Sequence, residues 1–278
     1  MSSHKDEIDA GQRFAFGANW TRFLAGLNTR RILAAETSLK DMLRIEDLRG
    51  TRFLDAGSGS GLSSLAARRL GASVYSFDYD PQSVACTTEL KRRYFPDDPQ
   101  WHVASGSVLD TDYLRTLGTF DVVYSWGVLH HTGAMWQALA NMSPLVADHG
   151  RLFVAIYNDQ GITSRYWHAI KKAYVEQRWL RWPLVLMHVP YPWLPSVLLR
   201  FFSGRSSGPR GMSLWYDLVD WVGGFPFEVA TTKAIVDFYD TRGFRVETLR
   251  TTRRMGCNEF VLVKADASDS SSTTRVDA

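Results

Sequence analysis

From residue 51 onward, short apolar runs alternate with segments that read as helices. The apolar runs predict strands at Arg52–Ala56, Ser73–Phe77, Trp101–Ala104, Phe120–Trp126 and Arg151–Tyr157. Uninterrupted apolar strands of this kind suit a sheet covered on both faces. The intervening segments predict helices at Leu62–Leu70, Pro81–Tyr94, Thr111–Leu117 and Ala134–Val146. Asp80 before Pro81 is a start signal: a capping carboxylate precedes a residue whose φ is already helical. Gly71 after Leu70 is a stop signal. Strands and helices in this alternation build an α/β fold, a doubly wound and mostly parallel sheet.

The rhythm breaks after Tyr157. Residues 158–229 are long and aromatic, and do not read as another crossover unit. It resumes with a helix at Thr231–Thr241, a turn at Arg242-Gly243, and strands at Phe244–Thr251 and Cys257–Lys264. The last two are expected to pair antiparallel at one sheet edge. Upstream, residues 20–49 read as two helices leading into the first strand. The chain therefore divides into an N-terminal helical segment (1–50), a core (51–157), an insertion (158–229), the end of the core sheet (230–264) and a tail (265–278). The tail is rich in Ser, Asp and Thr and is expected to be disordered.

Composition excludes more than it identifies. The formal charge of +3 is too small to imply nucleic acid by itself. Cys86 and Cys257 show neither zinc-ligand nor disulfide spacing, so no metal is expected and a reducing, cytoplasmic setting is the simplest reading. The polar N-terminus, MSSHKDEIDAGQR, has no apolar stretch of the secretory type.

Chemistry concentrates at strand ends. Phe53 to Gly61 (FLDAGSGSG) is a strand, a glycine turn and the start of a helix, which brings backbone close to a nucleotide-like ligand. The turn lacks the third glycine of the dinucleotide fingerprint, since Leu62 stands there. Asp55 precedes the turn, where a carboxylate repels phosphate and attracts a cation. Asp78 ends the second strand, where it can accept from both ribose hydroxyls of an adenosine group. A phosphate-free, cationic adenosine cofactor fits best, and S-adenosylmethionine (SAM) is such a molecule.

In order and spacing, FLDAGSGSG, SFDYD, GSVLD (106–110) and FDVVYSWGVLHH (120–131) resemble the motif series of class I SAM-dependent methyltransferases. The likeness is to the small-molecule branch that includes ubiquinone and menaquinone biosynthesis methylases. It covers residues 50–157 strongly and 231–264 in topology. The resemblance implies a Rossmann-like methyltransferase fold. It implies that Ala56, Gly57, Ser58 and Gly59 line the methionine part, with Asp55 near the amino group. It places Asp78 on the ribose, Tyr79 on the adenine face, and Gly106, Ser107 and Val108 along the adenine edge. Ser125 and Trp126 fall beside the sulfonium.

The acceptor is less legible. His130 and His131 follow the fourth strand, and an imidazole there can take a proton from a hydroxyl acceptor. His131 is the preferred base, with His130 packing near the cofactor. Tyr157, Asn158 and Glu228 are candidate acceptor contacts; Glu228 could equally cap the helix after it. The Asn/Asp-Pro-Pro-Tyr motif of enzymes that methylate base amino groups is missing, which argues against DNA.

The insertion holds six of the ten tryptophans, with arginines and no acidic residue from Gln177 to Tyr216. It reads first as a lid over an aromatic, lipid-like or anionic small molecule. A second reading adds peripheral membrane contact through 182–202, and RNA receives the least weight. Gly208-Pro-Arg-Gly211 reads as a lid hinge.

Overall fold

The computed structural model describes residues 4–188, 219, 221–252 and 256–265. The expected hinge at 208–211, most of segment 182–202 and nearly all of the tail lie outside the described residues.

Seven strands form one sheet: β1 (Arg52–Ala56), β2 (Ser73–Asp78), β3 (Trp101–Ser105), β4 (Phe120–Trp126), β5 (Val146–Tyr157), β6 (Phe244–Arg250) and β7 (Cys257–Lys264), in the order β3-β2-β1-β4-β5-β7-β6. The strands β1 to β5 run parallel; β7 is antiparallel to both β5 and β6. The order reverses between β1 and β4, and a crevice opens at the carboxyl ends there, where open α/β sheets bind ligands.

Strand alternation divides the core. Leu54, Phe77, Val123 and Leu152 face one layer, while Phe53, Val74, Val122 and Phe153 face the other. The first layer is covered by α7 (Met135–Met142) and α10 (Thr232–Asp240); the second by α3 (Thr29–Leu43), α4 (Leu62–Arg69) and α5 (Pro81–Tyr94). The helix expected over Ala134–Val146 stops early. Ser143–Leu145 is a 3-10 turn containing Pro144, which offers no N–H to the preceding turn, and Val146 already opens β5. The remaining elements in chain order are α1 (His4–Asp9), α2 (Gly17–Ala25), α6 (Thr111–Thr116), α8 (Ile162–Glu176) and α9 (Arg181–His188). Helices α8 and α9 pack with Val222 and Phe227 into a separate apolar cluster beyond the end of β5.

Candidate functional site

The loop after β1 is held by backbone geometry. Gly57 and Gly59 have φ of 87° and 54°, a region open to glycine at little cost. A Cβ on Gly57 would collide with the side chain of Val128, so the turn can pass beneath the end of β4 only without one. The amides of Gly57 and Ser58 both donate to the Phe77 carbonyl, at 2.9 and 3.0 Å, and tie the loop to β2.

Two carboxylates lie under this loop. Period-two alternation turns Asp55 toward α4, where it accepts from Ser64 Oγ at 2.5 Å. Ser64 in turn meets Ser76 Oγ, which accepts from Trp101 Nε1. Asp78 accepts from the amides of Gly59 at 2.8 Å and Asp80 at 2.9 Å. Burial raises Asp55 to about 7 against the Ser64 bond, and the Asp78 charge adds to the rise. Burial likewise raises Asp78 to about 6, against its amide bonds. Desolvated carboxylates this close favour a cationic guest and disfavour phosphate.

The adenine-side positions are shaped by the same ends. The Gly106 amide donates to the Asp78 carbonyl at 3.0 Å, and a Cβ there would strike the Tyr113 ring. Ser107 Oγ accepts from the Leu109 amide at 3.1 Å. The carbonyl of buried Val108 accepts from Asn141 Nδ2 at 2.9 Å. Two expected cofactor contacts spend their side chains on the sheet. Ser125 Oγ donates to the Ala56 carbonyl at 2.8 Å, and Trp126 Nε1 donates to Glu259 at 2.7 Å.

A cover formed by residues 4–25 lies across these loops, and the sequence reading missed it. Tyr79 donates to Glu7 at 3.1 Å, with the Arg13 guanidinium 5.3 Å from its ring centroid and His4 edge-on. Asp80 caps α5 through Gln82 and also accepts from the Gly17 amide at 2.8 Å. Trp20 sits against Gly59, where an added Cβ would lie 3.2 Å from its ring. The signal was present in Phe14, Phe16 and Trp20, bulky aromatics in an otherwise polar leader.

On the acceptor side, Leu129–His131 is a 3-10 turn after β4. His131 Nδ1 lies 2.6 Å from the Pro226 carbonyl, so Nδ1 carries the proton and Nε2 keeps its lone pair. Phe16 packs 4.8 Å from its ring, and Arg13 Nη1 donates to its carbonyl at 2.8 Å. Burial, helped by the nearby Lys171 and Arg13 cations, pulls His131 down to about 3 against the Pro226 bond. His130 is fully buried and driven well below its ordinary value by burial, then by His131 and Lys171. The backbone of Ala155 opposes that fall, although neither ring nitrogen reaches a partner in good hydrogen-bond geometry among the described residues.

Tyr157 joins the histidines, 4.0 Å from the His130 centroid and 5.2 Å from Phe227. Asn158 lies beside it, but its amide is engaged by Thr252 and Asn258 of the β6–β7 hairpin. Glu228 caps a helix, though not the one that follows it. Its carboxylate accepts from the Met135 amide at the start of α7, at 3.0 Å, whereas α10 is capped by Thr231.

Comparison with known proteins bears on the fold that carries these residues. Residues 54–152 match the family described as a methyltransferase domain. A magnesium protoporphyrin IX methyltransferase from Synechocystis PCC 6803, solved with bound SAM, superposes with a TM-score of 0.55 at 13% identity, covering 95% of this chain and 98% of that one. An O-methyltransferase family protein from Burkholderia thailandensis gives 0.56 at 14% identity, covering 94% and 67%. Residues 54–152 thus resemble a methyltransferase domain, and the sheet has the Rossmann-like fold of the superposed structures.

In sequence, a tRNA U34 carboxymethyltransferase of Pseudomonas savastanoi pv. phaseolicola is 39% identical over 108 residues, which is 38% of this chain and 32% of the relative. Its counterpart in Pseudomonas aeruginosa strain LESB58 is 38% identical over 87 residues, covering 31% and 26%. The match spans about a third or less of these relatives' length. It corrects the low weight given to RNA: these relatives are named for a tRNA. That weighting leaned on modest net charge and on an insertion read as a lid, and neither feature bars an RNA from a cleft at the sheet edge. Among the described residues no helix is long and apolar enough to cross a membrane.

Proposed function

We propose that the protein transfers a methyl group from SAM to a hydroxyl oxygen of a small-molecule acceptor. The observation that carries the cofactor is the pair of carboxylates, buried Asp55 and half-buried Asp78, beneath a glycine turn that admits no Cβ. Ala56, Gly57, Ser58 and Gly59 would hold the methionine part through backbone, with Asp55 supplying negative charge beneath its ammonium. Asp78 keeps acceptor capacity for the ribose hydroxyls beyond its amide bonds. Gly106, Ser107 and Val108 would border the adenine, and Tyr79, already roofed by Arg13, would close its outer side. Ser125 and Trp126 act by fixing the end of β4. When bound, SAM supplies an electrophilic methyl on a sulfonium, and the protein's work is to orient the acceptor and exclude water.

His131 Nε2 is the base in this reading. A buried imidazole with so low a pKa accepts a proton best from an acidic hydroxyl, a phenol or enol, as the new bond forms. His130 supports it through ring packing, and Tyr157 lines the acceptor side. A second reading, a nucleoside of tRNA as acceptor, is favoured by the names of the curated relatives.

Calorimetry with SAM, S-adenosylhomocysteine (SAH) and NAD tests the cofactor: SAM and SAH should bind, and NAD binding without SAM would overturn the proposal. Radiolabelled SAM offered with separate small-molecule and tRNA fractions should label the first under the primary reading and the second under the alternative. His131→Ala should cut turnover by about 100-fold, the low end for losing a general base, with SAH affinity intact. Unchanged turnover would remove His131 as base.

A further inference from the structure

Residues 4–16 form a strap that touches both halves of the site. None of them is buried, and α1 contributes nothing to either core layer. A segment with so little buried surface opens more readily than the core it lies on. The strap is tethered where α2 begins. The Gly17 amide donates to Asp80 at 2.8 Å, and a Cβ on Gly17 would strike that carboxylate. Further along α2, Leu24 is buried in the layer covered by α3, α4 and α5. Residues 17–25 are therefore the fixed end, and residues 4–16 the end that can lift.

The strap folds back on itself. Gly11, at φ 69°, ends α1: its amide donates to the Ile8 carbonyl, and that of Gln12 to the Glu7 carbonyl. This turn lays Arg13 against Glu7, to which its Nε donates at 2.6 Å. Glu7 also accepts from the Tyr79 hydroxyl. From the other side of the same guanidinium, Nη1 donates to the His131 carbonyl at 2.8 Å. The Phe14 amide donates to the Phe225 carbonyl at 2.9 Å, next to Pro226, whose own carbonyl orients the imidazole. Phe16 packs on the imidazole ring. Within four residues the strap thus grips the carbonyl, the orienting neighbour and the ring of one histidine. Its other contacts, through Glu7 and Gly17, fall on Tyr79 and Asp80 at the end of β2.

We infer that Arg13 is a positioning residue: when the strap closes over the adenosine side of the cofactor, Arg13 carries that closure to His131 and sets its imidazole. A guanidinium is a planar fork with donors at fixed spacing, so two acceptors held by it move together. One acceptor, Glu7, is tied to Tyr79; the other is the backbone of His131 itself. A ligand lying against Tyr79 gives the docked strap surface that the lifted strap lacks, and that difference in contact is what shifts the strap toward closure. Closure in turn fixes Leu129–His131 and residues 225–226 in one arrangement. The roles given to cofactor and base rest on the methyl-transfer reading.

The test uses the full-length chain with and without saturating SAH. Hydrogen exchange is followed in peptides spanning residues 4–16, and the imidazole nitrogen resonances of His131 are recorded. In the parent, SAH should slow exchange in the strap by about ten-fold, the scale of one hydrogen bond to a charged group, and displace the His131 resonances. Arg13→Ala should still bind SAH by calorimetry, which reports that it folds, with affinity down by no more than about ten-fold. Its strap should gain no protection from SAH, and its His131 resonances should not respond. Arg13→Lys, whose ammonium can reach one acceptor but not span both, should restore part of each response. Lys5→Ala, which breaks an exposed ion pair with Asp9 on the same helix, should match the parent. Faster strap exchange with SAH would show that strap and cofactor compete, and would overturn the inference. So would a His131 response in Arg13→Ala equal to the parent's, or a loss in Lys5→Ala as large as that in Arg13→Ala. Each of these, with SAH still bound, leaves the methyl-transfer reading standing. No binding of SAH or SAM to the parent would sink both.

Discussion

The two sides of the crevice solve opposite electrostatic problems. The side that the proposed function gives to the cofactor, the ends of β1 to β3, encloses carboxylates: buried Asp55 and half-buried Asp78 interact and are pushed up to about 7 and 6. The side that the proposed function gives to the acceptor, the end of β4 with α8, buries bases: His130, His131 and Lys171 crowd together, and burial holds the histidines neutral. In the proposed reading one side suits a positive ligand and the other an acceptor with an acidic proton. A methyl donor that is cationic and an acceptor that gives up a proton are the pair this polarity suits.

The comparison breaks most sharply at the glycine turn. Gly57→Ala adds a Cβ at positive φ against Val128. Overpacking and strain of about 2–5 kcal/mol should lower the melting temperature and abolish measurable SAH binding by calorimetry. Unchanged SAH affinity would mean that the turn does not hold the cofactor. Next comes Asp78→Asn, which removes the charged acceptor. SAH affinity should fall by about 10- to 100-fold with little loss of fold, as for a hydrogen bond to a charged group. His131→Gln should leave SAH affinity alone, so equal losses in the two variants would erase the distinction between the sides.

Proton linkage sharpens the contrast. Asp55 and Asp78 have folded pKa values above the unfolded 3.8, so their contribution to stability is fully present below that pH and is lost as pH rises through about 6 to 7. His131 has the opposite sign: its folded value of about 3 is below 6.5, so its contribution is present above 6.5 and lost as pH falls toward 3. Melting temperatures of Asp55→Asn against the parent should lose the decline between pH 4 and 7. Over the same window SAH should bind more tightly as pH rises, because its ammonium favours ionised carboxylates. A flat binding profile from pH 5 to 8 would contradict this. The smallest effect expected is at Glu228→Gln, which weakens the cap of α7 by about 0.5–1 kcal/mol and leaves SAH affinity unchanged.

The strand ends around Asp55 and Asp78 were largely legible from local signals. The strand ends, the glycine turn, Asp80 with Pro81 and the carboxylate after β2 are each set by a few neighbouring residues. Pro144 misled the reading of α7 only because helical periodicity was followed past it. The acceptor side was not legible, because its parts come from distant segments. Arg13 meets His131 across 118 positions, and Trp221 meets Trp167 across the insertion. Glu228 reaches back to α7 instead of forward to α10.

By itself, then, the sequence determined a doubly wound sheet, a glycine-lined crevice and two carboxylates at its floor. Those follow from periodicity, turn chemistry and the placing of charge at strand ends, all local properties. Only the tertiary structure decided which way Asp55 faces, which nitrogen of His131 is free, and that residues 4–25 roof the site. Those depend on which surfaces are buried against which. Burial also shifts the carboxylates and the histidines in opposite directions, since a low-dielectric interior penalises whichever charge it encloses.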